Sequence, residues 1–193
     1  IDMRPIQDLY WIKVEKETED TIMLNGVELY RDTSYDPMKL ARQYGVVFKT
    51  PSRTTVDVDI QEGDKIWFHH FVATESNLVK YIDEENIYQA NINQVYLVER
   101  DGKYLPIGRW NFIEQEEKEP EETSSGIILN SVAKEVSLHG KAVYINEELR
   151  EQGVTEGDRV LFSENSEYDM DIDGTKLLRM RNFDILAVYE EGK

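Results

Sequence analysis

Apolar positions recur along this chain in short bursts with a period of two, and turn signals separate the bursts. In "YWIKV" (residues 10–14) the alternation puts Tyr10, Ile12 and Val14 on one face of a strand and Trp11 and Lys13 on the other. "VDVDI" (56–60) alternates strictly, and "KAVYI", "RVLF" and "DILAVY" are short and rich in β-branched or aromatic residues. Between them stand Glu62-Gly63-Asp64, Asp101-Gly102, Glu156-Gly157-Asp158 and Asp173-Gly174, which read as tight turns. The pattern predicts an all-β protein of many short strands. One short helix is predicted at "DPMKLARQYG", with Asp36 as N-cap, Pro37 as first helical residue and Gly45 as C-terminal stop.

The bursts repeat. "RPIQDLYWIKVEKE" near the start matches "LPIGRWNFIEQEEK" from Leu105, so that Pro5, Ile6 and Ile12 fall on Pro106, Ile107 and Ile113 without a gap. "IQEGDKIWF" (60–68) matches "VTEGDRVLF" (154–162), and "VYLVERDGK" (95–103) matches "ILAVYEEGK" (185–193). Three blocks in the same order mark a tandem duplication. The expected organisation is two small barrels or sandwiches, residues 1–103 and 104–193.

Composition narrows the function. The chain has 193 residues, no Cys and a formal net charge of −17. Without Cys there is no disulfide framework, thiolate metal site or Cys nucleophile, which suits a reducing cytoplasm. The acidic balance argues against unselective nucleic-acid binding, which needs clustered Lys and Arg. No apolar run approaches the roughly 18 residues of a membrane span, and the first residues lack the apolar core of a signal peptide.

Candidate chemistry is sparse. "DMDIDG" (169–174) resembles the start of a calcium loop, but Met180 stands where the bidentate Glu would be needed. A hairpin explains it better, with Met170 and Ile172 inward and Asp173-Gly174 at the turn. His69 and His70 are adjacent in a strand-like stretch, which would point them to opposite faces and deny them a shared metal. No nucleophile–base order, phosphate-cradling loop or dinucleotide fingerprint occurs. No catalytic residue, metal or cofactor is expected. Trp11, Trp67 and Phe68 read as core aromatics rather than nucleobase platforms.

One stretch stands out. In "EEKEPEETSSGIIL" the triplet Ile127, Ile128 and Leu129 follows an acidic, Pro-containing run and a Ser124-Ser125-Gly126 hinge. Such a triplet either opens a buried strand or forms an apolar anchor on a loop. The second repeat resembles the GroES family of co-chaperonins: the opening "PIGRWNFIEQEE", then "SGIIL", "AKE", "HGKAVYI", "EGDRVLF" and the closing "DILAVYE" keep the family order over nearly the whole repeat. The first repeat keeps the outline in "MRPIQDLYWIKV", "YGVVF", "EGDKIWF" and "VYLVE". The tandem form is similar to plastid double co-chaperonins, and the divergence to bacteriophage relatives.

The resemblance implies two tandem GroES-like irregular β-barrels. It implies a homo-oligomeric ring that caps a GroEL-type, ATP-driven chaperonin in the cytoplasm and acts on unfolded clients indirectly. It also implies that a long mobile loop between the first two strands carries a Gly-aliphatic-aliphatic-Leu motif for an apolar groove of the chaperonin apical domain. Gly126, Ile127, Ile128 and Leu129 match that motif. In the first repeat Ile22, Met23 and Leu24 are the favoured counterpart, because "GVEL" (26–29) would put Glu28 in the groove. The family's roof hairpin has no clear match in "KTPSRTTVDVD" or "INEELREQG". The alternative is a structural or assembly protein, phage-associated for instance, that reuses the barrel for oligomer contacts. A β-barrel enzyme or ligand-binding module ranks last.

Overall fold

A computed structural model describes residues 3–15, 21–24, 27–30, 42–117, 137–166 and 168–190, with side chains described outside 21–30. The chain divides into two compact units, Ile1–Ile107 and Gly108–Lys193. In the first, β1 (Leu9–Lys13), β4 (Tyr44–Lys49), β5 (Lys65–Phe68), β6 (Ile87–Asn91), β7 (Val95–Arg100) and β8 (Lys103–Pro106) form a sheet in the order β6-β1-β4-β5-β7-β8. A separate ribbon pairs β2 (Thr21–Leu24) with β3 (Val27–Tyr30). The second unit arranges β9 (Trp110–Gln115), β10 (His139–Tyr144), β11 (Arg159–Phe162), β12 (Tyr168–Ile172), β13 (Thr175–Arg181) and β14 (Ile185–Val188) in the order β12-β13-β9-β10-β11-β14. Its helix, α1 (Glu147–Glu151), is a single turn and a half, N-capped by Asn146. Both sheets are open orders; no pairing closes either into a complete barrel among the described residues.

The duplication reaches down to register. Removing β8 from one end and β12 from the other leaves the same five-strand order in both units. Gly45 pairs with Ile66 as Gly140 pairs with Val160, and Ile66 pairs with Val98 as Val160 pairs with Val188. Even the irregularities coincide, at Trp67/Phe68 and at Leu161/Phe162.

The shared "EGD" has a concrete task. Asp64 accepts a hydrogen bond from the Gln61 backbone N–H at 2.7 Å, and Asp158 accepts one from Thr155 at 2.8 Å. The turn glycines, both at φ +93°, donate to the carbonyls of Val47 and Ala142, while the amides of those residues donate back to Asp64 and Asp158. Only glycine adopts that φ without strain, and the Asp side chain fixes the turn that starts β5 and β11.

Two cores result. One gathers Tyr10, Ile12, Val47, Ile66, Phe68, Val95, Val98 and Ile107; the other Ile113, Ala142, Val160, Phe162, Leu178 and Met180. In the second unit a buried amide network joins elements that are far apart in sequence. Asn111 accepts from the Asn146 backbone N–H at 2.9 Å and donates to the Asn182 Oδ1 at 2.7 Å, which also accepts from Asn146 Nδ2 at 2.6 Å. It ties β9, the start of α1 and the turn before β14 together, and the hydrogen bonds on Asn111 and Asn146 make their burial tolerable.

Several expectations need correction. "VDVDI" is not a strand. Val56 is exposed, Val58 packs against the core and Ile60 is buried, but no ladder partner faces the segment; Asp59 instead binds Arg100, and Thr55 binds Asp8. Trp11, by contrast, is buried as expected of a core aromatic, with Val79, Ile82 and Ile87 packed on the face of β1 opposite Tyr10 and Ile12. His69 and His70 lie beyond the end of β5, with rings stacked at 4.2 Å rather than on opposite faces. Most of the helix expected over 36–45 lies outside the described residues, and its supposed stop, Gly45, belongs to β4. The "DMDIDG" hairpin is present: Met170 and Ile172 are buried in β12, and Asp173 (φ 51°) with Gly174 (φ 87°) makes the turn to β13.

Candidate functional site

The two candidate anchors occupy equivalent connections. β1 and β4 are neighbours in the first sheet, and β9 and β10 in the second. The chain between β1 and β4 contains Ile22, Met23 and Leu24; the chain between β9 and β10 contains Gly126, Ile127, Ile128 and Leu129. The latter four lie outside the described residues. Ile22, Met23 and Leu24 form β2, in register with Leu29, Glu28 and Val27 of β3. The strongest sequence signal for that ribbon is Asn25-Gly26 between the two runs, the pair that two-residue hairpin connections favour.

The root of the 118–136 connection is built from four strands. The Glu116 amide donates to the His139 carbonyl at 3.0 Å, and Gln115 Nε2 donates to the Ser137 carbonyl at 2.8 Å. The Phe162 amide donates to the Leu138 carbonyl at 2.9 Å, as the Phe68 amide does to Gln43 at 2.8 Å in the first unit. Arg159 clamps Glu116 through Nε and Nη2 at 2.6 and 2.9 Å, and its guanidinium lies 4.5 Å from the Tyr189 ring centre. In the first unit Glu15 meets Arg42 at 3.5 Å and Lys65 stacks over Tyr44 and Trp67.

The clamp leaves a pH signature. The hydrogen bond from Arg159 holds the Glu116 carboxyl below its ordinary value of 4.5, opposed by desolvation and helped by the Arg159 charge. A depressed folded pKa gives stability that is present above the unfolded value and is lost as pH falls through the folded one. Arg159 is about half exposed and Glu116 about a third, so solvent screening keeps the contribution small. Arg159→Met therefore lowers the stability of the second unit slightly at pH 7, where the contribution is fully present, and raises its acid-unfolding midpoint, with the loss vanishing once Glu116 is protonated; denaturant melts followed by circular dichroism at pH 7 and across an acid titration read both.

Among the described residues no cluster of three or more His, Cys, Asp or Glu is placed to hold a metal ion. No described helix is long and apolar enough to cross a membrane. Two shallow grooves lie beside Trp11 and Tyr81 in the first unit, without a convergent set of catalytic groups.

Two duplicated open β-units, each with a long connection between its first strand and the strand beside it in the sheet, define a tandem all-β protein. The comparisons agree. The profile of the family described as "Chaperonin 10 Kd subunit" matches residues 103–189. Co-chaperonin GroES of Finegoldia magna is 33% identical over 90 residues, covering 44% of this chain and 96% of that protein. Co-chaperonin GroES of Bacillus subtilis is 40% identical over 90 residues, covering 43% and 95%, and that of Aquifex aeolicus 37% over 86 residues, covering 41% and 70%. The chain belongs to the GroES co-chaperonin family.

Proposed function

We propose that this protein caps a GroEL-type chaperonin as a homo-oligomeric ring in the cytoplasm and assists folding of clients held by the chaperonin, without catalysing a reaction itself. The observation that carries this reading is the match of the second repeat, over almost the full length of the relatives, to proteins named co-chaperonins. Residues 1–103 and 104–193 are the two repeats, and each supplies one connection to the chaperonin face. Gly126, Ile127, Ile128 and Leu129 form the principal anchor. Ile22, Met23 and Leu24 are the weaker one, because β2 pairs them with a strand containing Glu28.

The energetics suit a reversible lid. Burying three aliphatic side chains yields roughly 5–9 kcal/mol gross. Any loop that becomes ordered on docking costs about 1–2 kcal/mol per residue. A single anchor is thus weak, and several anchors on one ring bind firmly through effective concentration. Adding the purified protein to a bacterial chaperonin with ATP should lower the steady-state ATPase rate at near-stoichiometric ring concentrations. An unchanged rate across a tenfold excess contradicts the reading and favours an assembly protein that reuses the fold.

A further inference from the structure

Trp11 carries a polar group that the fold leaves unused. Its side chain is 4% exposed, yet the indole Nε1–H has no hydrogen-bond partner among the described residues. A buried donor without an acceptor is destabilising, and folded proteins keep few of them. Packing does not demand an indole here. Phe112, the residue at the same place in the second repeat, is fully buried in its own sheet and has no donor at all.

The surroundings of the two residues differ as well. In the second unit β12 pairs with β13 from Tyr168 to Ile172. The first-unit strand equivalent to β13 is β6, and the single bridge Leu78↔Tyr88 stands in place of that pairing. Residues 79–86 then run on without strand structure. Tyr81, Ile82 and Asp83 of this segment line one groove with Met3, Trp11 and Phe48. A second groove shares Met3, Trp11 and Tyr81 and adds Pro5, Leu9 and Gln89. Together they make an open trough of mostly apolar side chains, with Tyr81 edge-on to the indole at 6.1 Å and itself 64% exposed. Charge is uneven along it. Arg4 is taken by Glu62 at 3.0 Å, and Glu84 by Lys13 at 3.2 Å. Asp83 and Glu85 have no ion pair among the described residues, and Lys49, which also lines the trough, lies over the Phe48 ring at 6.0 Å. The Asp83 end therefore carries two carboxylates against one ammonium, in a chain of net charge −17.

An open trough with an unused donor suits a peptide that brings free carbonyls. A helix spends its carbonyls on its own backbone. An added strand needs a free sheet edge, and the Leu78 bridge already occupies the outer side of β6 at Tyr88. A polyproline II segment keeps every carbonyl free and lays proline rings on aromatic side chains. We propose that this trough binds a proline-rich peptide in the polyproline II conformation with Lys or Arg at one end. Proline rings pack on Trp11 and Tyr81, a peptide carbonyl accepts from Trp11 Nε1, and the basic end faces Asp83. The Tyr81 side chain turns aside to give the carbonyl its approach, a motion open to an exposed residue. The inference concerns the first unit alone and goes beyond the capping activity; its test uses neither chaperonin nor nucleotide, so the two fail separately.

The probe is a synthetic peptide of about ten residues with two overlapping Pro-x-x-Pro motifs and arginines at one end, added to the full chain. Labelling with 5-fluorotryptophan gives one fluorine resonance for each of the three tryptophans, Trp11, Trp67 and Trp110, and Trp11→Phe identifies the first. The peptide should move the Trp11 resonance saturably and leave the other two in place, and the same peptide with alanine for proline should move none. By calorimetry Trp11→Phe should bind about tenfold more weakly, the worth of one hydrogen bond. Asp83→Lys, an exposed change that leaves the fold alone, should weaken binding of the basic-ended peptide about three- to fivefold and strengthen that of an acidic-ended one. No movement of the Trp11 resonance at about 1 mM peptide overturns the proposal. So does an equal response to the alanine peptide, or undiminished binding by both variants. A Trp11 resonance that shifts on dilution of the protein alone also overturns it, because a second copy of the chain then occupies the trough.

Discussion

Ile128→Asp should abolish chaperonin capture while leaving fold and assembly intact. The substitution removes an aliphatic side chain whose burial is worth about 1.5–3 kcal/mol. It also asks an apolar groove to accept a carboxylate, which costs several kcal/mol more without a partner. At 1.4 kcal/mol per decade, one anchor loses at least about 100-fold in affinity, and a ring carrying the change in every chain loses more. The check is co-sedimentation with a nucleotide-loaded chaperonin, beside light scattering of the free variant. Glu28→Ile is the informative companion. It removes the charge paired with Met23 in the β2–β3 ribbon and should strengthen the first repeat's weaker anchor. Retained binding by Ile128→Asp would move the anchor away from residues 126–129.

Gly140→Ala should be the most damaging single-methyl change in the second unit. A Cβ on Gly140 would stand 2.5 Å from Ile113 Cγ2 and 2.7 Å from the Glu114 carbonyl oxygen. Ile113 is fully buried and the carbonyl belongs to the neighbouring strand, so neither can simply swing aside. Overpacking of this kind costs about 1–3 kcal/mol, which in a unit of this size lowers the melting temperature by roughly 5–20 °C. Gly45→Ala should do the same in the first unit, where Ile12 Cγ2 and the Lys13 carbonyl oxygen are both 2.7 Å from the added atom. Differential scanning calorimetry of the two variants reads each unit's transition. Unchanged melting in both would mean that the strand crossings are looser than these distances require.

Those glycines show where sequence reading succeeds and where it stops. The frame "YGVVF" and "HGKAVY" was legible as a glycine leading a strand, and the "EGD" pair as a turn, because each rests on contacts within a few residues. The reason for the glycine, close passage of a neighbouring strand, is a tertiary fact. Gly45 accordingly reads as a helix stop until β1 is laid across it. The same limit explains "VDVDI": alternation reported which side chains face the core, but a strand also needs a neighbour, and Arg100 draws Asp59 out of line instead. The Asn111–Asn146–Asn182 network spans 71 residues, and no local pattern announces it. The connections that carry the proposed anchors were legible as the stretches between the first matched blocks, which depend only on strand order. That β8, at the head of the second repeat, completes the sheet of the first unit was invisible in the repeat, because the repeat shows what is equivalent and not which sheet a segment joins.

A chaperonin lid must join its chaperonin only in the presence of nucleotide, and native mass measurement reads that association. The protein alone should give a discrete oligomer whose mass is a whole multiple of 22.6 kDa. With a GroEL-type chaperonin and ADP or ATP, one such oligomer should add to each capped end, and the complex should disappear when nucleotide is withdrawn. A chaperonin mass that is unchanged by the protein, with and without nucleotide, would contradict it.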